Sequence, residues 1–228
     1  MTAFKPALIV VDLQEDFCPP NGSLAVPDGR AITPLINTLL ALPFAVRVAT
    51  RDWHPAQHIS FAASHPGSPA PFTSSHTIVH PTTQQRYSTS LWPVHCVAST
   101  PGAQLVPELD LSLVDHVVDK GQRADREMYS AFYDPFGESD SGLAGLLRER
   151  GVSHVYVAGL ALDYCVRATA EHAAREGFRT VVLADATRAV FPNKWDEVVA
   201  ELKSNGVDVV LSTSPEVEKV KALSQVSR

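Results

Sequence analysis

The sequence predicts an α/β protein: one domain built on a mainly parallel, Rossmann-like sheet with helices on both faces. Three observations predict it. Apolar runs of strand length alternate with helix-length stretches along the 228 residues, the pattern of βαβ units with right-handed crossovers. The first run, PALIVVDL at 6–13, is apolar until its acid, as suits a strand covered on both faces. Several runs end in an acid, a lysine or a glycine, and ligands of parallel sheets bind beyond the carboxyl ends of the strands.

The elements follow in order. After the strand at 6–13 come a helix over 31–42, a strand at 44–50, a short strand at 116–119 and a helix over 141–150. The run at 154–157 is the central strand. It passes through Gly159 into a helix that ends near Glu176, with Val166, Ala170, Ala173 and Ala174 at helical spacing and Gly177 at the stop. A strand at 180–183, a helix over 194–204, a strand at 207–211 and a helix over 215–223 complete the alternation. The domain spans 1–228, with an irregular insertion at about 62–90 that is rich in Ser, Thr, Pro and His and carries one short strand at 77–79. A second interruption, 122–140, holds Tyr129, Phe132, Tyr133 and Phe136. These aromatics either wall a pocket for a flat ligand or pin a loop to the core.

Composition narrows the function classes. Hydrophobic residues make up 45% and charged residues 19%, the balance of a soluble globular chain with an ample core. A net charge of −6 argues against nucleic acid or an anionic membrane surface as partner. No apolar run reaches the length of a membrane span, and the N-terminus lacks a signal-peptide pattern. Three cysteines make no disulfide framework, so a reducing cytoplasm is the expected compartment. No Gly-x-Gly pair occurs, which removes the dinucleotide fingerprint of a dehydrogenase.

Chemistry-bearing residues collect at the predicted strand ends: Asp12 after the first, Asp52 and His54 after the second, Lys120 after the third, Cys165 after the central one. On one rim, an acid, a lysine and a thiol supply a base, a cation and a nucleophile. Cys165 is expected in the first turn of a helix, where free amides and the helix dipole would stabilise its thiolate; a small buried packing residue is the alternative. Asp52 and His54 lie two apart in an extended stretch and so face the same way. With His95 they form a sufficient ligand set for Zn²⁺ or Fe²⁺. Among nine histidines a coincidental trio is also easily drawn, and Cys96 is a rival ligand.

Five segments, in order, carry a resemblance: Val11 to Phe17 (VDLQEDF), Arg51 to Pro55 (RDWHP), Trp92 to Cys96 (WPVHC), Lys120-Gly121, and Gly159 to Val166 (GLALDYCV). Over essentially the whole chain the sequence resembles the nicotinamidases of the isochorismatase-like cysteine hydrolase superfamily. The resemblance implies the isochorismatase-like hydrolase fold and the hydrolysis of nicotinamide to nicotinic acid and ammonia through a cysteine thioester, a step of NAD salvage. It implies a catalytic triad of Asp12, Lys120 and Cys165, and one divalent metal held by Asp52, His54 and His95, with Zn²⁺ first and Fe²⁺ or Mn²⁺ as alternatives. It further implies an oxyanion hole from the amides of Ala161 and Cys165 beside a cis Leu160–Ala161 bond. Phe17, Leu24, Trp92, Tyr133 and Tyr164 would line the ring pocket. The implied partner is a small molecule, nicotinamide or pyrazinamide, and a homo-oligomer stays open. Leu162 departs from the family, which commonly has Thr there. Another hydrolase on this scaffold, or a catalytically silent paralogue, is the alternative; stoichiometric metal and alkylation of Cys165 separate the cases.

Overall fold

The computed structural model describes residues 3–226, and side chains as far as 223. Six strands form one sheet: β1 (Pro6–Val11), β2 (Val46–Asp52), β5 (His116–Lys120), β6 (His154–Leu160), β7 (Arg179–Arg188) and β8 (Val207–Val210). Their order is β5-β2-β1-β6-β7-β8, and every neighbouring pair is parallel. From β1 the chain adds strands in one direction, and from β6 in the other. The reversal leaves a crevice at the carboxyl ends of β1 and β6, the place where sheets of this kind bind ligands.

Alternation along each strand divides the core between two faces. Leu8 and Val10 of β1 pack with Ile36 and Leu39 of α1 (Thr33–Leu40) and with Val217 and Val220 of α5 (Pro215–Val226). Ala7, Ile9 and Val11 face Leu147 of α2 (Leu143–Glu149), Ala170 and Ala173 of α3 (Arg167–Arg175) and Leu202 of α4 (Trp195–Ser204). Each fully buried Leu, Ile or Val stabilises the fold by roughly 1.5–3 kcal/mol. Both faces being covered accounts for the unbroken apolar composition of β1. Among the described residues, no helix is long and apolar enough to cross a membrane.

Three elements differ from expectation. Where one short strand is expected within the 62–90 stretch, it holds two, and β3 (Ser75–Val79) and β4 (Arg86–Ser90) form an antiparallel hairpin. Of the residues in the two strands only Ile78 and Thr89 are buried, so hydrophobicity barely marks them. Strand β7 runs on to Arg188, because its polar Thr187 donates to the Gly159 carbonyl at 2.7 Å and so prolongs the pairing with β6. The helix after β6 does not begin directly. Leu162–Val166 form a π-helical turn in which the Val166 amide reaches back to the Ala161 carbonyl at 3.1 Å, and α3 starts only at Arg167.

Candidate active site

The end of β1 places the first carboxylate. Asp12 turns out of the strand with φ +47°, a left-handed conformation that costs a non-glycine residue about 1–3 kcal/mol and persists only when its surroundings fix it. Thr50 on β2 does so, donating its hydroxyl to Asp12 Oδ1 at 2.5 Å and accepting the Asp12 amide at 3.1 Å. Asp52 and Lys120 are cross-strand partners in the β2–β5 register. Lys120 Nζ accordingly lies 2.5 Å from Asp52 Oδ1, 2.9 Å from Asp12 Oδ2 and 3.3 Å from Cys165 Sγ. Gln14 brackets the Asp52 backbone, accepting its amide and donating to its carbonyl, both at 2.8 Å.

Electrostatics follows from burial with few charges. Asp12, Asp52, Lys120 and Cys165 are all buried. Burial pushes the Asp12 carboxyl up to about 6, against the pull of Lys120. Burial also disfavours the charged forms of Asp52 and Lys120. For Asp52, Lys120 and His54 outweigh it and hold the carboxyl well below the usual range. For Lys120, Asp12 and Asp52 outweigh it and hold the ammonium well above its ordinary value. The Cys165 thiol goes up, not down: burial, with the Asp12 and Asp52 charges, overrides Lys120. Cys165 lies in the first helical turn after β6 as expected, but burial outweighs the help its surroundings give a thiolate. These directions favour a thiol beside a carboxylate in the resting site.

Among the described residues, three buried groups of side chains have the composition of metal sites, and hydrogen bonding separates them. In the group of Asp12, Asp52 and Cys165 the Lys120 ammonium already supplies the cation. In the group of His54, His58 and Glu127, His58 is committed at both ring nitrogens, to Ser60 Oγ at 2.7 Å and the Arg126 carbonyl at 2.9 Å. Asp52, His54 and His95 remain. His54 Nδ1 pairs with the Gly121 carbonyl and His95 Nδ1 with the Pro93 carbonyl, both at 2.8 Å. A carbonyl only accepts, so each ring donates from Nδ1 and turns Nε2 into the site. Burial lowers the His54 pKa, but Asp52 outweighs it and raises it above the ordinary value, so a metal ion would displace a proton there. His54 Nε2 is buried with no hydrogen-bond partner, 3.5 Å from Asp52 Oδ2. Burial lowers the His95 pKa to about 4, which keeps that ring neutral. This donor set fits a divalent ion.

A cleft of about 370 Å³, open solvent included, joins these groups. Phe17, Leu24, Trp92 and Tyr164 line it together with Asp52, His95, Ala161 and Cys165. Trp92 and Tyr164 meet edge to face at 4.8 Å. Tyr133 is not on this wall: its ring stacks on His172 of α3 at 4.1 Å, so it packs a loop against a helix. Tyr129 stands in the wall instead, its hydroxyl bonded to Trp92 Nε1 at 3.1 Å and to Thr89 of β4 at 2.8 Å. Glu127, which the sequence reading passes over, is also there. It lies in a polar stretch that reads as surface, and its one signal is its place two residues before Tyr129. The Leu160–Ala161 bond is cis. Leu162 is fully buried and packs in the core cluster that contains Cys165.

An isochorismatase domain matches residues 6–214. The chain belongs to the isochorismatase family. It is similar to the nicotinamidase of Saccharomyces cerevisiae, at 41% identity over 211 residues that cover 89% of this chain and 98% of that protein. The solved yeast nicotinamidase bound to the inhibitor nicotinaldehyde superposes with a TM-score of 0.86 at 40% identity, covering 90% of this chain and 99% of that one. A pyrazinamidase of Pyrococcus horikoshii in complex with zinc superposes with a TM-score of 0.70 at 38% identity, covering 91% and 99%. The family member is thus matched along nearly its whole length.

Proposed function

We propose that this family member is a nicotinamidase, hydrolysing nicotinamide to nicotinic acid and ammonia through a thioester on Cys165. The observation that carries the reading is one cleft lined by Cys165, Asp52, His95 and flat aromatic rings, with Asp12 and Lys120 buried behind the sulfur and His54 beside Asp52. Asp12 takes the Cys165 proton, and the sulfur attacks the carboxamide carbon. The amides of Ala161 and Cys165 receive the developing oxyanion. Lys120 balances the charge that Asp12 and the sulfur exchange. Asp12 then passes the proton to the departing ammonia as the C–N bond breaks. Water adds to the thioester with Asp12 again as base, releasing nicotinic acid and restoring the thiol.

Asp52, His54 and His95 would hold one divalent ion, Zn²⁺ in first place, with Fe²⁺ or Mn²⁺ as alternatives. When bound, that ion supplies a Lewis acid for the pyridine nitrogen and so fixes the ring's orientation. Phe17, Leu24, Trp92, Tyr129 and Tyr164 enclose the ring, and pyrazinamide, a flat azine carboxamide, meets the same requirements. Three buried free cysteines accord with a reducing compartment, and the reading places the enzyme in the cytoplasm, in NAD salvage.

Ammonia release from nicotinamide, measured before and after chelation, tests the reading. Turnover should fall by at least about 10²-fold on stripping, in line with the loss of substrate positioning, and return with Zn²⁺ or Fe²⁺. No ammonia from either form would overturn the assignment.

A further inference from the structure

Glu127 is buried and faces the cleft, yet the proposed reaction gives it no part. Its Oε1 accepts the amide of the next residue, Met128, at 2.9 Å. Among the described residues nothing donates to its other oxygen. A largely buried carboxylate on the cleft wall with an oxygen that no protein group engages is free to take a ligand there.

Its placement is deliberate. The Tyr87 hydroxyl of β4 accepts the Glu127 amide at 2.9 Å and donates to the Glu127 carbonyl at 3.2 Å, clamping the residue's backbone from both sides. Alternation along the extended segment then sends Glu127 and Tyr129 into the cleft, while Arg126 and Met128 face a separate one. The carboxylate lies within 4.8 Å of ligand atoms of His54 and His58, but it does not join the compact group of Asp52, His54 and His95. It stands beside that trio at one corner. His58 cannot satisfy it, since both His58 nitrogens are already bonded elsewhere.

We infer that Glu127 is an outer partner of the divalent-ion site, accepting a hydrogen bond from a water in the ion's shell and thereby holding the ion in place. The inference rests on the ion site proposed above. It makes Glu127 a positioning residue, acting on the ion and not on the reacting carbonyl, with the β3–β4 hairpin as its scaffold. Carboxylates that hold inner ligands from outside are worth about 10- to 100-fold in metal affinity.

The test is the Zn²⁺ affinity of metal-stripped protein, measured by competition with a chromophoric chelator, for wild type, E127Q and Y87F. E127Q keeps the shape and loses the charge. Y87F keeps the carboxylate and loosens its clamp, so the question survives if E127Q folds poorly. Expected are one Zn²⁺ per chain in all three, affinity lowered about 10- to 100-fold in E127Q, and a smaller loss in Y87F. With Co²⁺ at saturation, E127Q should keep the wild-type visible band positions, because no inner ligand has changed. Equal affinity in all three proteins would overturn the role of Glu127 and leave the ion site standing. Shifted Co²⁺ bands would overturn it too, by making Glu127 an inner ligand. Wild-type protein that takes up no Zn²⁺ would remove the ion site and this inference together.

Discussion

Lys120 is fully enclosed, and its one ammonium lies against two carboxylates and a thiol. Removing its charge leaves Asp12 and Asp52 buried and facing each other. Losing one partner of a buried ion pair costs about 3–5 kcal/mol. Lys120→Met should therefore lower the urea midpoint of metal-free protein by that equivalent at unchanged m-value; an unshifted midpoint would contradict the charge arrangement. Asp12 yields a prediction in pH. Its carboxyl is raised to about 6, so it is protonated below that value and can no longer accept the thiol proton. The kcat/KM for nicotinamide should hold above pH 6 and fall tenfold per unit as pH drops well below it. An acid limb that persists unchanged in Asp12→Asn would assign the titration elsewhere. The residues at strand ends were readable because a polar group closing an apolar run stands out. Glu127 was not, because its neighbours Asp125 and Arg126 are charged as well and no periodicity marks a single inward carboxylate.

The elements show how a site is held by pieces that carry none of its chemistry. The hairpin β3–β4 contributes Tyr87 to the backbone of Glu127 and Thr89 to the hydroxyl of Tyr129, so it fixes the cleft wall from behind. Its strands escape hydrophobic pattern reading because their inward positions include His76, Tyr87 and Thr89 beside a single Ile78. The turn after β5 has a comparable part. Gly121 has φ +66°, its carbonyl orients His54, and a Cβ added there would stand 2.4 Å from His54 Cε1. The ring cannot retreat, being fully buried and stacked on His58 at 4.0 Å. Gly121→Ala should cost about 1–3 kcal/mol in strained backbone and also weaken Zn²⁺ binding. An alanine variant with wild-type Zn²⁺ affinity would show that the imidazole is held by something else. The Lys120-Gly121 pair is visible in sequence; the contact that requires the glycine spans 67 residues and is not.

For the whole molecule, strand positions and the α/β class could be read from apolar runs, because both faces of the sheet are covered. The strand order could not. Nothing local tells β5 to lie outside β2 or β6 to lie against β1, yet that order brings Asp12 and Cys165 to one crevice. The site is also spread over the chain, from 12 to 165, so an ion bound within it ties β2 and the 92–96 loop to the native arrangement alone. Zn²⁺ at about 100 times its Kd should therefore stabilise the fold by about 2.7 kcal/mol, seen as a rise in Tm that a chelator reverses. A Tm indifferent to Zn²⁺ would argue against an ion held by the folded state.

The resting state of Cys165 has a consequence for life under oxidants. Peroxide reacts with thiolates, and enzymes whose cysteines rest exposed and ionised are the first to be lost to sulfenic acid. Here Cys165 is buried, and burial pushes its thiol well above the ordinary value, which favours the protonated sulfur. In the proposed mechanism Asp12 draws that proton away as the sulfur attacks the amide. Activity should therefore be lost to peroxide more slowly than in enzymes whose cysteines rest exposed and ionised, and equally fast loss would argue against a protonated resting sulfur.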